Sequence, residues 1–401
     1  HSPSRRSPPL RPMVQGLLLL RYRLKKIIMR ILIMVHALGI GGAERVASSW
    51  ANGLSRRGHE VFIRTDICSV KQSYPTDKGV KIIQNRIYRN KVVDFIHKVC
   101  KKIFFSPFTV NELSGILKDI RPDVIINVLY DNKLELLIAN RLTGPHTPVI
   151  MTDHNAYERP EGHEMPLRQK RCKFRYNKYF ERVTVLTNRD KEIMDSKGFR
   201  NVEVLHNPLF LKTADTVAEK DNVILAVGRI DAWNYKGFDL LINAWNKIFM
   251  KYPDWKLKIV GNGSDKNLCY LKQLALPAGD AIEFSPFTTK IENEYKVASI
   301  FVLSSRYEGW GLVLVEAMSQ GCAVIACDYL GRQKEVVENG VNGMIIPVED
   351  SNAIAESISN LIENDELRTR LQMAAPSSVE RFSESDIAEK LESIIKDVIR
   401  S

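Results

Sequence analysis

The sequence predicts an α/β protein of two doubly wound, Rossmann-like domains facing each other across a cleft. Three observations carry that expectation. At 401 residues, 44% of them apolar, the chain is long enough for two domains of ordinary size with a core in each. From Arg30 onward apolar strands alternate with amphipathic helical segments, the order of parallel α/β sheets. The alternation then restarts at Val223, after a polar stretch from Leu209 to Asp221 that lacks periodicity and reads as a linker.

In chain order, residues 1–28 come first as a Pro-, Ser- and Arg-rich extension with seven basic and no acidic side chains, expected to be non-native or disordered. Its apolar run Leu17 to Leu20 is far shorter than the roughly 7–15 residues of a signal peptide or the about 20 of a membrane span. The periodic pattern, and with it the expected native start, begins at Met29. RILIMVH reads as a first strand, GIGGAER as a glycine loop, and a helix follows to about Leu54, ended by Arg57, Gly58 and His59. VFIRTDI, VIINVL, VIMTDH, VTVLT and VEVLHN supply further strands of a first domain, residues 29–207.

In the second domain, residues 208–382, VILAVGRI, LKIVGNG, AIEFSPF, SIFVLSS, AVIACD and GMIIPV read as strands. GFDLLINAWNKIF, IENEYKVA, GLVLVEAMSQG and RQKEVVEN read as helices. A last helix, within residues 383–401, carries apolar residues at helical spacing and is expected to pack back across the domains. Two such sheets imply a cleft between their strand C-termini, where open α/β sheets bind ligands.

Formal net charge is +11, unevenly spread. Residues 29–207 hold 30 basic against 19 acidic side chains, whereas residues 208–401 hold 21 against 28. A basic half suits an anionic membrane surface or a diphosphate-bearing acceptor; a solvated surface with chance asymmetry is the plainer alternative. The run NRIYRNKVVDFIHKVCKKIFF interleaves bases with apolar residues, as an interfacial helix does, or equally as an amphipathic helix packed on its own sheet. A second basic run, Arg168 to Arg182, is placed to extend the same face. No nucleic-acid-binding motif accompanies the charge. The six cysteines show no CxxC pair and no zinc-like spacing, so they read as reduced core residues of a cytoplasmic protein.

The sharpest chemical signal is EGWGLVLVE. Glu308 falls in the turn after a strand, and Gly309 and Gly311 allow tight backbone geometry before a helix whose first amides, at Gly311 and Leu312, suit a phosphate. Glu316 lies further along that apolar helix, where a buried carboxylate needs donors; two ribose hydroxyls would serve, as would backbone groups or a basic neighbour. In GRIDAWNYKG, Arg229 and Lys236 flank a loop that includes Gly228 and Gly237, placed to neutralise a diphosphate leaving group. Gly263 forms the glycine turn of IVGNG. In the first domain Gly41 and Gly42 let the backbone approach a ligand closely, while Glu44 and Arg45 read as structural. Asp153, His154 and Asn155 follow a strand on the cleft side.

EGWGLVLVEAMSQG resembles the donor-binding signature of the retaining family-4 glycosyltransferases of GT-B fold. VGRID…KG, IVGNG and GMIIP occur in the family's order, and the likeness spans about residues 29–395. The resemblance implies that Glu308 contacts the hydroxyls of the donor sugar and Glu316 the ribose. Arg229 and Lys236 would clamp the pyrophosphate, with the amides of Gly311 and Leu312 and the glycines Gly41, Gly42, Gly228 and Gly263 around the donor. His154 would hydrogen-bond the sugar near the reacting carbon. The loop between Arg229 and Lys236 departs from the family in being longer; Trp233 and Tyr235 fill it, either covering the loop or bordering the acceptor. No Asp-x-Asp occurs, which argues against the metal-dependent GT-A class.

The resulting expectation is a metal-independent transferase with no cofactor beyond a UDP-sugar co-substrate. It would pass a hexose or N-acetylhexosamine, with retention, to a polyprenyl-diphosphate-linked glycan or polysaccharide, peripherally bound to the anionic cytoplasmic membrane and without nucleic acid. Alternatives are a GDP-mannose-dependent mannosyltransferase, a nucleotide-sugar epimerase on the same fold using His154 and Asp153, and a non-catalytic sugar-nucleotide binder.

Overall fold

The computed structural model describes residues 28–39, 41–66, 72–84, 92, 95–96, 99–100, 105–128 and 132–401. Residues 1–27 of the extension 1–28 and most of the basic run 85–105 therefore lie outside the described residues.

The first lobe is a seven-stranded parallel sheet in the order β3-β2-β1-β4-β5-β6-β7. Its strands are β1 (Arg30–Val35), β2 (Glu60–Thr65), β3 (Lys81–Gln84), β4 (Val124–Asn127), β5 (Val149–Thr152), β6 (Arg182–Val185) and β7 (Val202–Val204). The second lobe has six parallel strands in the order β10-β9-β8-β11-β12-β13. They are β8 (Asp221–Val227), β9 (Lys256–Val260), β10 (Ile282–Ser285), β11 (Ala298–Leu303), β12 (Ala323–Asp328) and β13 (Met344–Pro347). Strand order reverses between β1 and β4 and between β8 and β11, the positions where such sheets open a crevice.

Each central strand is apolar along its length because helices cover both faces of the sheet. Residues Ile31 to Val35 are all buried, as is the whole of β11. After β1, the helix Gly42–Arg56 buries Val46, Ala47, Trp50, Ala51 and Leu54 along one stripe and stops where Gly58 takes a φ of 87°.

Several elements differ from the expectation. The edge strand β3 was not anticipated, because its side chains are mostly exposed and it lacks a continuous apolar run; Lys81 reaches Glu60 on β2 at 2.7 Å. Helices Pro107–Ile120, begun by Ser106 as cap, and Lys133–Leu142 were likewise not read. RQKEVVEN forms only a tight turn, Gln333–Glu335, instead of a helix. Its polar groups are committed elsewhere: Asp328 accepts from the Gln333 amide at 3.0 Å, Gln333 accepts from the Tyr329 amide at 2.9 Å, and Asn342 accepts from the Glu338 amide at 2.8 Å. Cys269, expected inside, is exposed on the helix Asp265–Ala275, whereas Cys172, Cys322 and Cys327 are buried.

The chain crosses between lobes twice, side by side, where the Leu209 amide donates to the carbonyl of Phe382 at 2.7 Å. The final helix, Glu384–Arg400, thereby returns to the first lobe. Ile387, Leu391, Ile394, Ile395 and Val398 join the core of that lobe against the helix Gly42–Arg56. At their contact a side chain on Gly53 would meet Ala388 at 2.6 Å, so only glycine permits this approach. Arg57 pairs with the buried Glu392, and Ser49 donates to Glu384 at 2.7 Å.

Candidate active site

The turn after β11 builds one wall. Trp310, 1% exposed, anchors it in the core, and Gly311, with φ 88°, turns the chain into the helix Leu312–Ser319. Two residues before Trp310, the Glu308 carboxylate accepts from Lys236 Nζ at 2.5 Å and from Ser305 Oγ at 2.8 Å. Lys236 ends the one-turn helix Trp233–Lys236, which forms within the loop read from sequence. The next residue, Gly237, has φ 65°, and a Cβ there would lie 2.0 Å from the Ser304 carbonyl oxygen. Close backbone approach therefore fixes Lys236 beside Glu308. Burial disfavours the ammonium, but the Glu308 carboxylate and Tyr235 outweigh it and hold the Lys236 pKa above the ordinary value.

Arg229 is exposed at the other end of this loop and donates to Tyr235 Oη at 3.3 Å. Gly228 lies against Lys236, whose Cδ would be 3.4 Å from an added Cβ. Gly263 sits beneath Ile230 and Asp231, which a Cβ would meet at 2.6 and 2.8 Å. It supports the Arg229 loop from below.

Glu316, 3% exposed, projects from the middle of the Leu312–Ser319 helix. One carboxylate oxygen accepts from Arg45 Nη1 at 2.5 Å and the other from Tyr295 Oη at 3.1 Å. Burial pushes its pKa up, while Arg45 and the Tyr295 hydroxyl pull against that rise. Arg45 comes from the opposite lobe, in the first turn of the helix Gly42–Arg56, with its guanidinium 4.1 Å from the Phe210 ring centroid. Expected to be structural, it is the counter-ion of this buried carboxylate. Gly41 caps that helix and Gly42 opens it, and a Cβ on Gly42 would come within 3.4 Å of Leu312 Cδ1. The glycine loop thus faces the helix start across the cleft.

His154 follows β5. Its Nδ1 donates to Asn207 Oδ1 at 3.1 Å, leaving Nε2 as a buried acceptor with no protein partner among the described residues. Burial lowers its pKa to about 4, so the ring is neutral. The lobes touch here: a Cβ on Gly309 would lie 3.1 Å from the His154 carbonyl oxygen. Asp153 is different. Its buried carboxylate is held by Lys173 at 3.2 Å, by the Asn177 amide at 3.0 Å and by the Tyr157 hydroxyl. Despite burial, Lys173 and Lys133 keep its pKa well below the usual carboxylate range. A carboxylate so fully engaged is not available as an acid or base, which removes half of the pair the epimerase reading required.

The structure therefore gathers Lys236, Glu308 and Ser305 at one end of a short helix and Glu316, Arg45 and Tyr295 along it, with Gly42 opposite. His154 reaches the group through its contact with Gly309. Tyr295 carried no signal in the sequence beyond an apolar-side position on its helix; Arg45 was adjacent to the glycines that marked the loop.

Residues 40–211 match the family model described as Glycosyltransferase Family 4, and residues 211–378 the one described as Glycosyl transferases group 1. The chain is a family-4 glycosyltransferase of GT-B fold. The transferase is 28% identical over 88% of its length to an uncharacterized glycosyltransferase of Haemophilus influenzae, covering 96% of that protein. It is 25% identical over 92% of its length to a Campylobacter jejuni alpha-1,4-N-acetyl-D-galactosaminyltransferase, named for its GalNAc-containing diNAcBac-PP-undecaprenol substrate, covering 99% of that protein. Among solved structures, Anabaena HepE in complex with UDP-glucose superposes with a TM-score of 0.72 at 19% identity, over 92% of this chain and all of that one.

Two further features frame the transferase's site. Among the described residues no cluster of three or more His, Cys, Asp or Glu side chains could hold a metal ion. Among them, too, no helix is long and apolar enough to cross a membrane.

Proposed function

We propose that the transferase moves a hexose or N-acetylhexosamine from a UDP-sugar to a lipid-diphosphate-linked glycan or polysaccharide, with retention and without a metal. The observation that carries this reading is the pairing of Lys236 with Glu308 at the entry of the helix whose interior holds Glu316. Cation, helix-start amides and buried carboxylate follow one another in the order diphosphate and ribose would need.

In this scheme Glu316 accepts from the two ribose hydroxyls, displacing Arg45. The amides of Gly311 and Leu312 and the cations of Arg229 and Lys236 hold the diphosphate. As the bond from the sugar's anomeric carbon to the diphosphate breaks, these charges stabilise the negative charge that develops on the leaving oxygen. The acceptor hydroxyl attacks from the face the diphosphate vacates, and its proton passes to a departing phosphate oxygen. Glu308 and His154 Nε2 accept hydrogen bonds from sugar hydroxyls. The HepE complex with UDP-glucose and the Campylobacter relative's undecaprenol-linked substrate support the donor and acceptor classes.

Association with an anionic membrane surface on the cytoplasmic side draws support from the first lobe. There a cavity of about 490 Å³ is lined by Leu167, Lys170, Arg171, Phe174, Arg175 and Lys197. Leu167 is 85% exposed among those cations, an arrangement that suits the boundary between anionic headgroups and acyl chains.

The test is a panel of radiolabelled UDP- and GDP-sugars incubated with the transferase and an extract of polyprenyl-diphosphate glycans, with and without EDTA. Label should enter the lipid-linked fraction from a UDP-sugar and persist under chelation. Transfer from GDP-mannose alone, or release of an epimerised nucleotide sugar, would refute the proposal.

A further inference from the structure

Beside the Lys236–Glu308 pair lies a row of aromatic rings that the donor chemistry does not use. Tyr235 lies in the one-turn helix Trp233–Lys236 after β8, Tyr307 follows β11 and Tyr329 follows β12, three strands adjacent in the sheet, so their rings come from the connections that leave neighbouring strands on the cleft rim. Centroids are 5.3 Å apart between Tyr235 and Tyr307 and 6.3 Å between Tyr307 and Tyr329. The first lobe completes the row: the His163 ring is 5.3 Å from Tyr307, and the Arg159 guanidinium is 5.8 Å from it. The Lys236 ammonium lies 5.4 Å from the Tyr235 ring, so the row begins at the group that would hold the diphosphate.

These rings are not core. A buried tyrosine is enclosed and its hydroxyl partnered. Here all three residues are only partly buried, and among the described residues neither Tyr307 nor Tyr329 uses its hydroxyl in a hydrogen bond within the protein. Tyr329 is also presented at a cost. The next residue, Leu330, is held at φ 57° with 44% of its surface exposed, in a turn clamped by Asp328 through the amides of Gly331 and Gln333. A branched apolar residue in the left-handed region persists only where surrounding contacts impose it. Tyrosine faces carry negative potential that attracts the positively polarised C–H face of a pyranose, while the free hydroxyls, Arg159 and His163 are donors and acceptors for ring hydroxyls.

We infer that Tyr235, Tyr307 and Tyr329, closed over by Arg159 and His163, form the subsite that seats the pyranose ring of the acceptor glycan. The inference rests on the donor assignment made above. A nucleobase is a poorer occupant: Glu316, the proposed ribose anchor, bonds Arg45 and Tyr295, whereas the tyrosine row joins the site at Glu308 and Lys236, its sugar end.

The test uses the full chain saturated with UDP and a panel of p-nitrophenyl glycosides of glucose, galactose, N-acetylglucosamine and N-acetylgalactosamine. Binding is read by saturation-transfer NMR and UDP affinity by calorimetry, for wild type, Tyr307→Ala, Tyr307→Phe and Tyr329→Ala. At least one glycoside should bind wild type with saturation concentrated on the C–H protons of one ring face. Its affinity should fall roughly threefold to tenfold in each alanine variant and stay within about twofold in Tyr307→Phe, the range expected for loss of one aromatic stacking contact. UDP affinity should not change in Tyr329→Ala. Wild type that binds UDP but no glycoside, or alanine variants that bind the glycoside as wild type does, would overturn the subsite and leave the donor assignment standing. Wild type that fails to bind UDP would instead bring down the donor assignment and this subsite with it.

Discussion

Replacing Arg45 by methionine removes a charge from the centre of the site while keeping most of the side-chain stem. Glu316 is then left 3% exposed with Tyr295 as its one described partner. Removing one member of a buried ion pair costs about 3–5 kcal/mol, and the low end applies because the Arg45 side chain is 22% exposed. For a lobe of this size about 3 kcal/mol corresponds to roughly 6–12 °C in melting temperature. The loss depends on pH with a definite sign. Burial already raises the Glu316 pKa, so the folded state takes up a proton more readily than the unfolded chain. That linkage stabilises the fold at acidic pH and is lost as pH rises through the folded value. Without Arg45 the folded pKa climbs further, so the penalty of Arg45→Met should be largest at pH 8 and shrink toward pH 5. Calorimetric scans of both proteins at the two pH values decide it: an equal deficit at pH 5 and pH 8, or none at either, would refute the pairing as the source of stability.

Three other outcomes follow from the site. Glu316→Ala should abolish detectable UDP binding in calorimetry while preserving the circular dichroism of the fold, since the hydrogen bonds lost to a charged acceptor are worth about 1.5–3 kcal/mol each. His154 is held neutral by burial, with a pKa of about 4, so its stabilising contribution is complete above about pH 6.5. Melting temperature of wild type should therefore fall between pH 6.5 and 4 more steeply than that of His154→Gln. Gly237→Ala forces a Cβ to 2.0 Å from the Ser304 carbonyl oxygen at φ 65°, so it should displace Lys236. The expected loss is about 1–3 kcal/mol of stability together with at least a tenfold fall in kcat, measured by denaturation and turnover.

What was readable in the chain was local. Glu308, Gly311, Leu312 and Glu316 lie within nine positions, and their geometry follows from one turn and one helix. Arg229 and Lys236 bracket a single loop. The pairing of Arg45 with Glu316 joins residues 271 positions apart, on separate lobes, and no short-range pattern marks an arginine for such a partner. The same holds for Asp153: as a strand-end aspartate it looked available for chemistry, and only the fold reveals Lys173 and Asn177 closing on it. RQKEVVEN has helical composition, but Arg332 pairs with the buried Asp190 of the other lobe at 2.7 Å, and that tertiary demand overrides local propensity.

The return of the Glu384–Arg400 helix to the first lobe means that the core of the earlier sheet is finished by residues that follow the whole second lobe in the chain. Until Leu391 and Ile395 dock, the apolar stripe of the helix Gly42–Arg56 lacks the cover that these residues give it. Synthesis of the second lobe must therefore precede closure of the first, and a chain cut before Glu384 would leave that stripe uncovered in a molecule whose second lobe is complete.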